Sequence, residues 1–463
     1  MGKIRYSLTY IMFWLVIAFS SLLVENYDFF STNPMGGFSY DSAIVLAIFT
    51  ILLLIIYYFF EYKRNRVSID KILLPIIAGA TFLFVMTIWW QGERTFINAA
   101  NEQLGRVVFS FKEKLVYSLQ VVIWGGVIYG VLFTFNRYHL IFKTVRWLLF
   151  VYVAVVLIFT IADIVMEFDV IKGVFEGTYT NSGLKFIFYN SNPWASIVMV
   201  ALISAMVLNL KKFNIFYYLL MIYFLFFSIF TTCTTTIFIN FAIILFYTFF
   251  EIFAFFKRSV AQTILYSAIY LLFLVGLGVT TLVFMRKGNN PIANFWYFVS
   301  THVLQKDFST FTSRTTIWQA AFTLLVQNPR DLIFGLGYKT SINIFATFYT
   351  ATVNQAFVLR TSHNGFVEIL LRHGLIGLLL YVGALGTFVF AFIKLIIKKK
   401  YRFSFLYGLA ACGLLAHSFM ESTMFLSIGI NSLYMTIVFF MPIVTEIQNR
   451  KIKILHQDLV TLD

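Results

Sequence analysis

Long runs of apolar residues separated by short polar loops set the plan of this chain. A helix crosses a bilayer core with about 20 apolar residues, and the runs predict about 12 such spans. They lie near residues 8–24, 41–60, 72–90, 115–135, 147–166, 194–210, 215–230, 237–256, 261–284, 366–393, 403–420 and 425–445. The run 366–393 is longer than a bilayer requires, which predicts a tilt or a bend. One loop breaks the pattern: residues 285–364, between the ninth and tenth spans. Loops of that length inside compact domains are usually functional or disordered. Trp296, Tyr297, Trp318, Phe322 and Phe334 give this one apolar surface to bury, so a folded cap on the membrane surface is expected.

Inside the cap the pattern is equally specific. Ile317, Ala320, Ala321, Leu324 and Leu325 recur at helical spacing across Thr315 to Val326, with Ser313 placed as N-cap. Asn328-Pro329 breaks that helix and Gly335-Leu336-Gly337 makes a turn. Residues 340–358, rich in Thr and Phe and without charge, suit an interfacial helix lying on lipid headgroups. His363-Asn364 then opens the next span. The expected fold is all-α, a polytopic helical membrane protein whose residues 1–463 form one integral membrane domain, with 285–364 as its cap. The first span lacks a small-residue cleavage site behind it and reads as a retained helix. Matching broken helices in the two halves, expected of a symmetric carrier, are not evident.

Composition agrees. With 60% hydrophobic and 12% charged residues, a soluble globular domain is excluded. The net charge of +15 changes the picture only through its distribution. Lys and Arg cluster in alternate loops, as at Lys63/Arg64/Arg66/Lys71, Lys211/Lys212 and Lys398/Lys399/Lys400/Arg402. That is the positive-inside pattern; it puts both termini in the cytoplasm of a cytoplasmic-membrane protein and the cap outside. The basic excess thus serves topology and contact with anionic membrane lipid, and no nucleic-acid module is visible. Arg94, Arg106, Lys112 and Lys114 go against the rule, so their loop either binds an anion or re-enters the bundle. Cys233 and Cys412, assigned to different spans, read as packing residues. No metal-ligand spacing and no nucleotide cradle occurs, so neither a metal nor another cofactor is expected.

Several residues could carry chemistry. Arg314 opens a cap helix, where a guanidinium beside free N–H groups suits a phosphate; a solvated Arg paired with Asp307 or a lipid phosphate is the plainer alternative. His363 can take a proton from a hydroxyl or simply cap a helix, and Asn364 could orient it or bind a sugar hydroxyl. Glu368, Arg372 and His373 follow on the same helix. Glu368 and Arg372 are i,i+4 partners, and Glu368 is expected about one turn from His363, close enough to orient or tune it. His417 and Glu421 form another i,i+4 pair, either a site wall or packing. Asp163, Glu167 and Asp169 suggest a carboxylate pair or a solvated helix end.

Taken together, the motifs resemble the O-antigen ligase and polysaccharide polymerase (Wzy-type) membrane glycosyltransferases. Asn190-Ser191-Asn192-Pro193-Trp194-Ala195-Ser196 looks like that family's Asn-Pro segment. Ser313-Arg314 with Trp318, Ala321, Pro329, Gly335 and Gly337 looks like its cap segment, and His363-Asn364 with Gly374-Leu375-Ile376-Gly377 looks like the start of its following span. His417 is similar to a further family feature. The resemblance implies inverting, metal-independent transfer of an oligosaccharide from an undecaprenyl pyrophosphate carrier to a hydroxyl, at the outer face of the cytoplasmic membrane. It makes Arg314 a pyrophosphate ligand and His363 the residue serving the acceptor. Asn364, Glu368, Arg360, Arg372, His417 and Glu421 become candidates for substrate binding, and a chain-length regulator and a flippase become candidate partners. Polymerisation of a surface polysaccharide is the leading reading. A ligase with a different acceptor is its rival, and a non-enzymatic lipid-linked oligosaccharide flippase the alternative of another class. One departure stands out: the family often has a Ser-Arg pair where this chain has Thr231-Thr232-Cys233-Thr234-Thr235-Thr236, leaving Arg360, Arg94 or Arg106 as replacements for the missing cation.

Overall fold

The computed structural model of the chain describes residues 40–65, 73–90, 94–97, 103–107, 110–134, 140–179, 183–186, 191–209, 213–255, 264, 268, 272, 290–304, 314–336, 362–397 and 401–421. In chain order these form α1 (Tyr40–Asn65), α2 (Leu73–Trp89), β1 (Arg94–Ile97), β2 (Gln103–Val107), α3 (Phe111–Thr134), α4 (Leu140–Met166) and α5 (Phe168–Glu176). Then come α6 (Ser191–Leu208), α7 (Ile215–Phe230), α8 (Thr234–Phe255), α9 (Pro291–Phe298, continued by a π-helical turn Val299–Leu304), α10 (Arg314–Val326), α11 (Pro329–Phe334), α12 (Gly365–Ile397) and α13 (Tyr401–Met420). The expected spans 8–24 and 425–445, nearly all of 261–284, the interfacial segment 340–358 and Arg360 lie outside the described residues.

The protein is helical and multi-pass. Among the described residues, 5 helices are long and apolar enough to cross a membrane: stretches of α4, α8 and α13, and the whole of α6 and α12. Shorter apolar stretches lie in α1, α2, α3 and α7. The all-α class stands, with one short hairpin added to it. β1 and β2 pair as an antiparallel hairpin, with Arg94 opposite Val107 and Thr95 opposite Arg106. Each segment is too short to sustain a helix, and Thr95, Phe96, Ile97 and Val107 are β-branched or aromatic residues that favour a pleated backbone.

The described residues cluster into two compact units, one of Met1–Ile141, Ser313–Lys398 and Ser418–Asp463, the other of Phe142–Thr312 and Lys399–His417. In the first, α3 packs on α1 and α2, and α12 packs on α2, α10 and α11. Lys114 reaches the carbonyl of Trp89 at 3.5 Å, and Arg330 donates to the carbonyl of Trp90 while lying over its ring. The last carbonyls of a helix lack intrahelical partners and attract cations. Lys114, conspicuous in the sequence, therefore has a structural task at the end of α2.

In the second unit α6 is the central helix, buried from Trp194 to Leu208 along nearly its whole length. It is apolar on all faces, as a buried helix must be, and Ala195, Ser196, Ala201, Ser204 and Ala205 let α7 and α8 approach closely. Asp163, on the last turns of α4, is buried rather than solvated; it accepts hydrogen bonds from Trp194 Nε1 at 2.7 Å and the Phe186 amide at 3.1 Å. Two donors satisfy a carboxylate that would otherwise be costly to bury. The Asn-Pro-Trp segment is thus anchored by its indole. Glu167 precedes α5, and Asp169 lies in that helix's first turn, complementing its positive end. Cys233 sits in the turn between α7 and α8 rather than within a span.

Candidate active site

The site is built at the start of α12, in the first unit. Asn364 is its N-cap: the side-chain oxygen accepts from the amides of Phe366 and Val367 at 2.9 and 3.1 Å, giving two otherwise unpartnered donors a partner. Immediately before it, His363 has φ 49, a left-handed conformation uncommon outside glycine. Neighbours on both sides hold it there. The Ser362 amide and hydroxyl both donate to Glu368 Oε2, at 3.0 and 2.8 Å, and the Ser362 carbonyl accepts from Trp318 Nε1 at 3.0 Å. Glu368 Oε1 accepts a hydrogen bond from Arg372 Nε at 2.7 Å.

The i,i+4 pairing of Glu368 and Arg372 is therefore present, but the expected contact of Glu368 with His363 is not. Glu368 is buried and holds Ser362 and Arg372 instead. It acts on the histidine only through the backbone of the preceding residue.

Glu421 makes the direct contact. Its Oε2 lies 3.1 Å from His363 Nδ1 and its Oε1 accepts from Arg314 Nη2 at 2.7 Å. Side-chain exposure is 9% for Glu421, 12% for Arg314 and 24% for His363, so the carboxylate is enclosed and the imidazole is the most open of the three. Arg314 opens α10 as its pattern predicts. Its apolar stripe, Ile317, Ala320, Ala321, Leu324 and Leu325, is buried against Leu336, Val367, Leu370 and Leu371.

The glycines of the cap motif fix how α11 meets α12. Gly335 (φ 78) ends α11, and Gly374 (φ 63, ψ −162) interrupts α12, the bend that the length of this span predicts. A Cβ on Gly335 would stand 2.5 Å from the Arg372 carbonyl carbon, and one on Gly374 would stand 2.3 Å from the Ile333 carbonyl oxygen. The break at Gly374 leaves the Leu371 carbonyl for the Leu336 amide, which donates to it at 2.6 Å. The turn after α11 and the kink of α12 are interlocked backbone to backbone.

His417, read in the sequence as the i,i+4 partner of Glu421, has a hydrogen-bond partner on α6. His417 belongs to the second unit, where its Nε2 lies 3.0 Å from Ser196 Oγ. In the Thr231–Thr236 turn, the Thr231 hydroxyl donates to the Ser228 carbonyl and the Thr236 hydroxyl lies 3.4 Å from Cys233 Sγ. Arg94 and Arg106 lie on the hairpin strands. Among the described residues, no group of three or more His, Cys, Asp and Glu side chains converges as a metal site.

Comparison with known proteins yields one match. Residues 186–382 match the family model described as Wzy_C, O-antigen ligase. This stretch contains Arg314, His363, Asn364, Glu368 and Arg372, whereas His417 and Glu421 lie beyond it. No curated protein and no solved structure matches the chain. Residues 186–382, somewhat under half of the chain, are thus similar to the O-antigen ligases of the Wzy_C family.

Proposed function

We propose that the protein is a membrane glycosyltransferase that joins oligosaccharide repeat units, carried on undecaprenyl pyrophosphate, into a surface polysaccharide at the outer face of the cytoplasmic membrane. Its cap would be residues 285–364 and its termini cytoplasmic. The observation that carries this reading is the placement of a guanidinium, Arg314, and an imidazole, His363, on the two oxygens of one enclosed carboxylate. Pyrophosphate is a good leaving group that needs cationic stabilisation as charge develops on it, which Arg314 supplies. The acceptor hydroxyl needs a base as it attacks, which His363 supplies. The hydroxyl oxygen bonds to the anomeric carbon from the face opposite the phosphate, inverting it. The carbon–oxygen bond to phosphate breaks, its electron pair leaves on undecaprenyl pyrophosphate, and the hydroxyl proton passes to His363. The activated ester drives the reaction.

A second reading, transfer of a lipid-linked glycan to a different acceptor, is favoured by the family description as a ligase. One experiment separates the two. Purified protein in lipid nanodiscs is incubated with a single defined lipid-linked repeat, with and without a candidate acceptor. A ladder of products from the repeat alone supports polymerisation, and product formed only with the added acceptor supports ligation. Absence of any transfer refutes both.

A further inference from the structure

We propose that Glu421 is the positioning residue of the site and that donor binding switches it: in the resting protein it holds both the arginine and the histidine, and an arriving donor draws Arg314 away while the histidine stays held. The inference rests on the transferase reading above. It adds a role for a residue outside the family match.

A carboxylate oxygen only accepts hydrogen bonds. The 3.1 Å approach of Oε2 to His363 Nδ1 therefore places the imidazole proton on Nδ1 and the lone pair on Nε2, the tautomer a base must have. The positive φ of His363 and the cap made by Asn364 fix the backbone that presents it. An enclosed carboxylate also needs a positive partner, and in the resting site that partner is Arg314, at 2.7 Å. An arriving pyrophosphate offers the guanidinium more oxygens and more negative charge than Glu421 does, so the ion pair exchanges partners. Glu421 keeps its contact with the imidazole, so an anion stands beside the ring as the acceptor's proton arrives on it.

The electron pair on Nε2 takes the acceptor's proton as the hydroxyl oxygen bonds to the anomeric carbon. The pyrophosphate departs with the pair from the broken carbon–oxygen bond. Charge stays balanced throughout: before donor binding Arg314 and Glu421 neutralise each other, and after transfer Arg314 faces pyrophosphate while Glu421 faces imidazolium.

The test is Glu421→Gln, which keeps the shape and an acceptor oxygen but removes the charge. Affinity for undecaprenyl pyrophosphate itself is measured in nanodiscs, alongside kcat and acceptor KM with a defined lipid-linked repeat. Because the variant no longer competes for Arg314, carrier affinity should rise by about fivefold, the change that corresponds to a competing ion pair worth ~1 kcal/mol after its desolvation cost. The kcat should fall by about 100-fold or more, with acceptor KM changed by less than about threefold. Tighter carrier binding with slower turnover is a split that general loss of structure does not produce. Unchanged kcat, or carrier binding weakened together with kcat, overturns the proposal. If the variant fails to fold, Glu421→Asp retains the charge but cannot span both partners at their present distances; it should lower kcat, and wild-type kcat and carrier affinity in it overturn the proposal. A wild-type protein that transfers nothing refutes the function reading, whereas an active wild type with an unaffected Glu421→Gln variant refutes this inference alone.

Discussion

Gly374→Ala tests whether the interlock of cap and span is what holds the site. The new side chain meets two obstacles. Its backbone would remain at φ 63 with ψ −162, away from the helical basin, and a non-glycine residue forced into a left-handed conformation costs about 1–2 kcal/mol. Its Cβ would stand 2.3 Å from the Ile333 oxygen and 2.6 Å from the Gly335 nitrogen. These are backbone atoms that cannot rotate away, so α11 must shift, at a further ~1–3 kcal/mol. The total is about 2–5 kcal/mol, lost together with the Leu336–Leu371 hydrogen bond. Gly335→Ala creates a clash across the same contact, with Arg372, so the double variant should cost less than the sum of the singles by at least ~0.5 kcal/mol. Gly383→Ala is the control: it lies on the same helix with nothing within 4 Å of its would-be Cβ, and should be neutral or stabilising by up to ~1 kcal/mol. The assay is thermal unfolding of purified protein in one detergent, read beside transfer activity. Equal melting of the Gly374→Ala and Gly383→Ala proteins would refute the interlock, as would fully additive losses in the double variant.

The site itself yields four more expectations. Arg314→Lys keeps the charge but loses the planar fork, so carrier affinity and turnover should both fall sharply in the nanodisc assay; wild-type values would remove Arg314 from the pyrophosphate site. His363→Ala should reduce kcat by about 10²–10⁴-fold with carrier binding retained, and full-length product from it would remove the base. Activity should survive EDTA, and loss on chelation with rescue by magnesium or manganese would point to metal-assisted departure of pyrophosphate. Cysteine-accessibility mapping should place Lys63, Lys211 and Lys399 inside and Lys306 outside; a cytoplasmic Lys306 would put the cap on the wrong side.

Much of the helical layout was legible because it depends on local rules. A run of apolar residues predicts a span whatever surrounds it, and α1 to α4, α6 to α8, α12 and α13 lie where the hydropathy pattern puts them. The same holds ahead of α12, where the stripe from Ile317 to Leu325 and the Asn328-Pro329 break mark α10 and α11. The hairpin was missed because its strands are brief and carry Arg, Gln and Gly between their β-favouring residues. The exact point of bending in α12 was also hidden: glycine is common in spanning helices, and Gly374 differs from Gly383 only in what lies against it.

Partnership was the part that local rules could not decide. An i,i+4 spacing on a helix guarantees proximity, so Glu368 with Arg372 followed directly from sequence. Local reasoning also placed Glu368 near enough to His363 to orient it, whereas the carboxylate that contacts the histidine is Glu421, from a distant segment. Glu421 reaches across 107 positions to Arg314 and 58 to His363, separations over which periodicity carries no information. Asp163 shows the same effect, since its carboxylate finds an indole 31 positions away and becomes an anchor rather than a solvated helix end. A signal was nevertheless present. Glu421 is an acidic residue at the end of an apolar run, and a carboxylate so placed must be hydrated or paired with a cation. Enclosure rules out full hydration here, and Arg314, at the start of α10, is a cation that meets it. The cost of burying a charge thus selects the partner that spacing alone leaves open.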